Sequence, residues 1–290
     1  MDVRRPTVAG QFYAGGRNSC IAEIKQCLEE AKTDVSPPEE IVGGIVPHAG
    51  WAFSGSLAAM VFEAVGRRHT NVDTFIILGA VHSHISGLPA VWTKGAWETP
   101  LGEIEIDEDL ALEVVATGAV ESNRSAHIAE HSIEVQIPFV QYLFPIAKIL
   151  PIVVPPDENA IALGACLGDL IVTSHRKIVC IGSTDLTHYG PRYGFTPKGI
   201  GEQANRWAND VNDREFIDAA LELNARRILD GAVENYNARG AGAAAAVVEV
   251  AGKLGKKNGV LLGQTSSSEV ISRRVGTTSQ DSVGYAAIVF

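Results

Sequence analysis

A single α/β domain, with a mixed central sheet and helices on both faces, is the fold class this chain predicts. Three observations carry that prediction. Short apolar, β-branched runs alternate with segments of helical period along nearly the whole length. No linker, repeat or low-complexity tract interrupts the alternation, so residues 1–290 read as one domain. A hydrophobic content of 46% over 290 residues is ample for a sizeable core.

The elements follow in order. Helical periodicity at 21–31 leads to a strand at 41–46, then a helix at 56–67 to a strand at 73–78. The stretch 88–106 is rich in strand formers. Trp92, Trp97 and the turn Thr99-Pro100-Leu101-Gly102 within it suggest a hairpin at the edge of the sheet. Helices at 107–117 and 132–143 flank a strand at 147–154, and a helix at 158–173 precedes a strand at 177–181. Residues 201–236 read as wholly helical and 240–254 as an alanine-rich helix, with closing strands at 259–266 and 283–290.

Composition narrows the function classes. A formal net charge of −10 with no basic stripe argues against nucleic acid and anionic membrane as partners. No run is long and apolar enough for a membrane span, and the first residues lack the apolar core of a secretion signal, so a cytoplasmic location is expected. Cys20, Cys27, Cys166 and Cys180 show no metal-ligand spacing and read as free, reduced thiols.

Three strand ends offer an imidazole: His48 in Val46-Pro47-His48-Ala49-Gly50, His82 in Leu78-Gly79-Ala80-Val81-His82, and His188 in Ser183-Thr184-Asp185-Leu186-Thr187-His188. In an open α/β sheet the carboxyl ends of the strands border the ligand crevice, so the three together point to one site. A lone histidine at a strand end often just caps carbonyls, and Asp185 has the alternative of a helix N-cap. Asp185 and His188 are three apart and can share a face.

Several longer motifs resemble one known family in order and spacing. They are Arg5-Pro6-x-Val8-Ala9-Gly10-x-Phe12-Tyr13, Pro47-His48-Ala49-Gly50-Trp51-x-Phe53-Ser54-Gly55, Glu130-His131-Ser132-Ile133-Glu134-Val135-Gln136, Ser183 through Gly190, and Val283-Gly284-Tyr285-Ala286. The resemblance is to the MEMO family, whose prokaryotic branch is called AmmeMemoRadiSam system protein B. It covers essentially the whole chain. It implies a fold similar to the class III extradiol dioxygenases, which use a mononuclear non-haem iron. By it His48 and His82 would be metal ligands, with Asp185 and His188 beside the metal and His188 as acid/base. It also implies association with a radical SAM protein and an AMMECR-type protein.

One departure stands out. The family's third ligand is a cysteine, where this chain reads Asn237-Ala238-Arg239-Gly240-Ala241-Gly242. Arg239 cannot ligate a metal, because its guanidinium stays protonated and has no acceptor. Two imidazoles beside a fixed positive charge make a weak metal site.

The segment His127-Ile128-Ala129-Glu130-His131 also fits the HxxEH spelling of inverted zinc peptidases. The roles weighed against it for Glu130 and His131 are orientation of the pocket or capping of the following helix. His84 lies near enough to His82 in sequence to substitute as a ligand. Gly240 and Gly242 either approach an anion, helped by Arg239, or serve close helix packing.

Two functions from different classes are therefore expected. The first is a metal-dependent enzyme of dioxygenase type acting on a small molecule, with one iron, zinc or copper ion at His48 and His82 and proton transfer by His188 or Asp185. The second is a binding protein without metal, whose histidines and Arg239, lined by His131 and Glu130, hold a carboxylate, phosphate or partner group. A metal-assisted hydrolase on the same histidines is a third.

Overall fold

The computed structural model describes residues 2–82 and 87–290. Four parallel strands form the centre of the main sheet, in the order Gly43–Val46, Ile178–Ser183, Thr74–Gly79 and Lys148–Val153. On one side the strand Ser282–Val289 runs antiparallel to Gly43–Val46 and also pairs with Val260–Ser266 and His188–Tyr189. On the other, Ala90–Val91 lies antiparallel to Lys148–Val153 and carries Glu121–Ser122 at its far edge. The expected mixed sheet is thus present.

Helices cover both faces, and the central strands show why. Successive strand residues point to opposite faces. Phe75, Ile77, Val179 and Ile181 enter one apolar cluster with the helices Arg17–Glu30 and Trp51–Arg68. Ile76, Leu78, Ile178 and Cys180 enter the other, with Glu158–Thr173 and the alanine-rich Ala241–Lys253. Strands buried on both sides read as continuous apolar runs, which is why they stood out in the sequence.

Three expectations are corrected. The hairpin at Thr99-Pro100-Leu101-Gly102 forms, but its strands Ala96–Thr99 and Gly102–Glu105 join Val3–Arg4 in a separate three-stranded sheet rather than edging the main one. The stretch 201–236 is not one helical run. It divides into Glu202–Trp207, a π-helical turn Ala208–Asn212, Asp213–Leu221 and Ala225–Glu234, with Leu223 at φ 55° breaking the last two apart. The helix expected at 132–143 starts later, as a 3-10 turn Glu134–Gln136 followed by Ile137–Leu143 with Pro138 in its first turn. Proline lacks the N–H a helix interior needs, so it sits where that donor would be unpaired anyway.

All four cysteines are free, and burial pushes the Cys20 and Cys27 thiols up to about 12. Among the described residues no helix is long and apolar enough to cross a membrane.

Candidate functional site

Register places the site. Val46 is paired with Ser183, and Leu78 with Gly182, so the three central strands end side by side. His48 follows the first end, Asp185 the second and His82 the third. His188 arrives on its own short strand, paired with Val283. The structure thus places His48, His82, Asp185 and His188 at the carboxyl edge of the sheet.

His131 joins His48 and His82. The ring centroids of His48 and His82 are 5.2 Å apart, and His131 lies 4.3 Å from His82 and 5.6 Å from His48. One nitrogen from each of the three falls within 4.8 Å of the other two. The group runs from buried His48 through half-buried His131 to exposed His82. Close approach of the His131 segment depends on Gly79, where a Cβ would come 2.5 Å from Ile133 and 2.8 Å from Ser132 Oγ. The sequence alone gives His131 as lining; the structure adds it to the nitrogen donors.

Hydrogen bonds set which nitrogen of His48 and His82 faces the cluster. Glu130 is buried, which would raise its carboxyl, but the hydrogen bond and charge of His82, with Ser132, hold it down to about 2. An ionised carboxylate only accepts, so His82 Nδ1, at 3.0 and 3.1 Å from the Glu130 oxygens, is the donor there, and the lone pair of the neutral ring falls on Nε2. Ser183 Oγ gives its hydrogen to the Ser132 carbonyl at 2.8 Å. It can therefore only accept from His48 Nδ1 at 3.1 Å, and His48 Nε2 is likewise left with its lone pair. Burial lowers the His48 imidazole to about 4 and also lowers that of His131, so both rings are neutral at pH 7. Neutral imidazoles are what a metal requires.

Asp185 acts on the backbone of the first loop. Its Oδ1 accepts the amide N–H groups of His48 at 2.8 Å and Ala49 at 3.2 Å. Burial works against its charge, yet His48, His188 and the His48 amide hold the carboxyl at about 2. His188 Nε2 stands 3.9 Å from Asp185 Oδ2, beyond hydrogen-bond reach, and is buried without a partner among the described residues. Its ring packs on Tyr193 at 4.8 Å.

Arg239 is exposed, and its backbone N–H donates to the Asp185 carbonyl at 2.9 Å. Burial raises the Tyr193 phenol while the charges of Arg192 and Arg239 pull against it. Gly240 follows because a Cβ there would meet the Ser183 carbonyl at 2.2 Å; its own N–H donates to Thr184 Oγ1 at 2.8 Å. Close packing thus explains that glycine. The peptidase spelling dissolves: residues 125–127 form a 3-10 turn, and buried His127 bonds the Ala90 carbonyl through Nε2 between Trp92 and Trp97. His84 lies outside the described residues.

A family model described as Memo-like protein matches residues 4–289. The chain belongs to the Memo-like family. It is 34% identical over 293 residues to a MEMO1 family protein of Methanosarcina mazei, covering 100% of this chain and 99% of that one. A MEMO1 family protein of Pyrococcus furiosus is 35% identical over 307 residues, covering 99% and 98%. In fold, this Memo-like chain is similar to an uncharacterized protein of Escherichia coli K12, with a TM-score of 0.51 at 12% identity, covering 84% of this chain and 99% of that one.

Proposed function

We propose that this Memo-like protein is a mononuclear non-haem metal enzyme acting on a small molecule, with His48, His82 and His131 holding the metal. The observation that supports it best is the pair of proton acceptors, Glu130 and Ser183, that leave the Nε2 lone pairs of His82 and His48 free. A carboxylate behind a ligand histidine is a recurrent feature of metal sites, and three protein nitrogens leave a position for substrate or water. When bound, a transition ion there would supply Lewis-acid polarisation of a substrate oxygen and, if redox-active, electron transfer. Iron, zinc and copper all accept imidazole nitrogen.

The surrounding residues divide the remaining work. The buried Nε2 of His188, which has no hydrogen-bond partner among the described residues, is placed to hold or move a proton. Arg239 would pair with a carboxylate or phosphate on the substrate. The partnership with radical SAM and AMMECR-type proteins implied by the family resemblance belongs to the same proposal. A second reading, an anion-binding protein without metal, is favoured by that exposed cation where a thiolate was expected.

Elemental analysis of protein purified without a histidine tag tests the first reading; oxygen uptake with catechols after anaerobic ferrous loading then separates oxygenase from hydrolase chemistry. Stoichiometric failure to take up iron, zinc or copper would leave the anion-binding reading. Two variants refine the test. Glu130→Gln is expected to weaken zinc binding about 10–100-fold by calorimetry, because the charge that fixes the His82 tautomer is gone. Arg239→Cys is expected to tighten zinc binding roughly tenfold by exchanging a cation for a soft anion, and to weaken phosphate binding in parallel.

A further inference from the structure

Thr187 lies between Asp185 and His188, and each of its polar groups is held. Its N–H donates to Asp213 Oδ1 at 2.9 Å, its hydroxyl accepts from Asn212 Nδ2 at 2.9 Å, and its carbonyl accepts from the Gly284 N–H at 3.0 Å. Asn212 Nδ2 also reaches the Asn235 carbonyl at 2.9 Å. Asn212 and Asp213 are consecutive and buried, at 3% and 1% exposure. They stand where the π-helical turn Ala208–Asn212 passes into the helix Asp213–Leu221. A π turn carries one extra residue, and each residue is worth about 100° around a helix axis, so the insertion decides which side chains face Thr187.

Asp213 is a costly residue to keep there. None of its described hydrogen-bond partners is a cation. Burial pushes its carboxyl up to about 8, against the Thr187 hydrogen bonds and with the charges of Asp210 and Glu269 adding to the rise. Gly284 makes room for it, since a Cβ at that position would come 1.8 Å from Asp213 Oδ2. A buried carboxyl of this kind marks a position where an acceptor is needed.

We infer that Asn212 and Asp213 are positioning residues: by clamping Thr187 they fix where Asp185 and His188 stand against the three imidazoles. The chain of contacts runs from Asp213 to Thr187, along the backbone to Asp185, and from the Asp185 carboxylate to the His48 and Ala49 amides. The functional meaning of the clamp rests on the proposed metal site; the clamp itself does not.

The test compares Asp213→Ala, Asp213→Asn and Asn212→Ala by amide hydrogen exchange and by cobalt binding followed in the visible spectrum. In Asp213→Ala the His48 and Ala49 amides should exchange roughly tenfold faster or more, while the central-strand amides of Ile76 and Ile181 keep their protection. Cobalt affinity should fall roughly tenfold with it. Asp213→Asn keeps an acceptor for Thr187 and should restore both. Wild-type exchange at His48 and Ala49 in Asp213→Ala, with the central strands intact, would overturn the inference. Should that variant lose central-strand protection, Asn212→Ala, which removes the bonds to the Thr187 hydroxyl and the Asn235 carbonyl and leaves Asp213 in place, decides in the same way: faster exchange at His48 and Ala49 supports the clamp and an unchanged rate overturns it. Absence of cobalt binding by the unaltered protein would instead remove the metal reading, with the exchange data still deciding the clamp.

Discussion

Zinc or cobalt titrated into a His131→Ala variant is expected to bind at least about 100-fold more weakly than to the unaltered protein, because loss of a donor nitrogen exceeds the 10–100-fold cost of losing a supporting hydrogen bond. Only His48 and His82 would remain, and two imidazoles hold a transition ion poorly. The side chain is half-buried and packs edge-on against Phe12 at 4.9 Å, so its removal should leave the fold in place. Thermal unfolding without metal checks that, and calorimetry reads the affinity. Equal affinity in the two proteins would mean that His188 or Asp185 completes the coordination and that His131 only lines the pocket.

Glu134→Ala is expected to cost about 3–5 kcal/mol of stability, measured by denaturant unfolding, because it strands a buried cation. The Glu134 carboxylate accepts from Arg4 at 2.7 Å, from the amides of Thr7 at 2.9 Å and Val8 at 2.9 Å, and from the Tyr13 hydroxyl at 3.1 Å. Arg4 would keep its bonds to the His127 and Glu130 carbonyls and its stacking on Trp97, but no counter-charge. A loss below about 1 kcal/mol would show that those contacts suffice. The pair also sets a pH dependence. Burial would raise the Glu134 carboxyl, yet Arg4 and the Val8 and Thr7 amides outweigh it and hold it below its ordinary value of 4.5. A depressed carboxyl contributes stability that is complete above 4.5 and is lost as the pH falls through its lower, folded-state value. Glu134→Gln should accordingly flatten the acid limb of the stability curve.

How much of this was legible differs residue by residue. His48 and His82 were found because each follows an apolar strand, and a polar ring in that place is a local signal. His131 gives no such signal: it follows a bend, and only the missing Cβ of Gly79 lets its segment press against a strand end. Arg4 and Glu134 lie 130 residues apart and look like ordinary surface charges until the fold buries them together. The hairpin turn was readable from Thr99 to Gly102, but its partner, Val3–Arg4, is two residues long and carries a charge, so the separate sheet was not. Asn212 and Asp213 sat inside a segment of good helical period, and a π turn has no compositional mark.

The bond from Asp185 to the His48 amide joins residues 137 positions apart, and Gly284 comes later still in the same construction. Contacts of such sequence separation carry the full loop-closure entropy and form slowly. During synthesis His48 and His82 emerge with their strands well before the chain that fastens them. The pocket is therefore expected to close late in folding, and a ribosome-bound chain ending near residue 180 would expose the imidazoles without the carboxylate that orders the first of their loops.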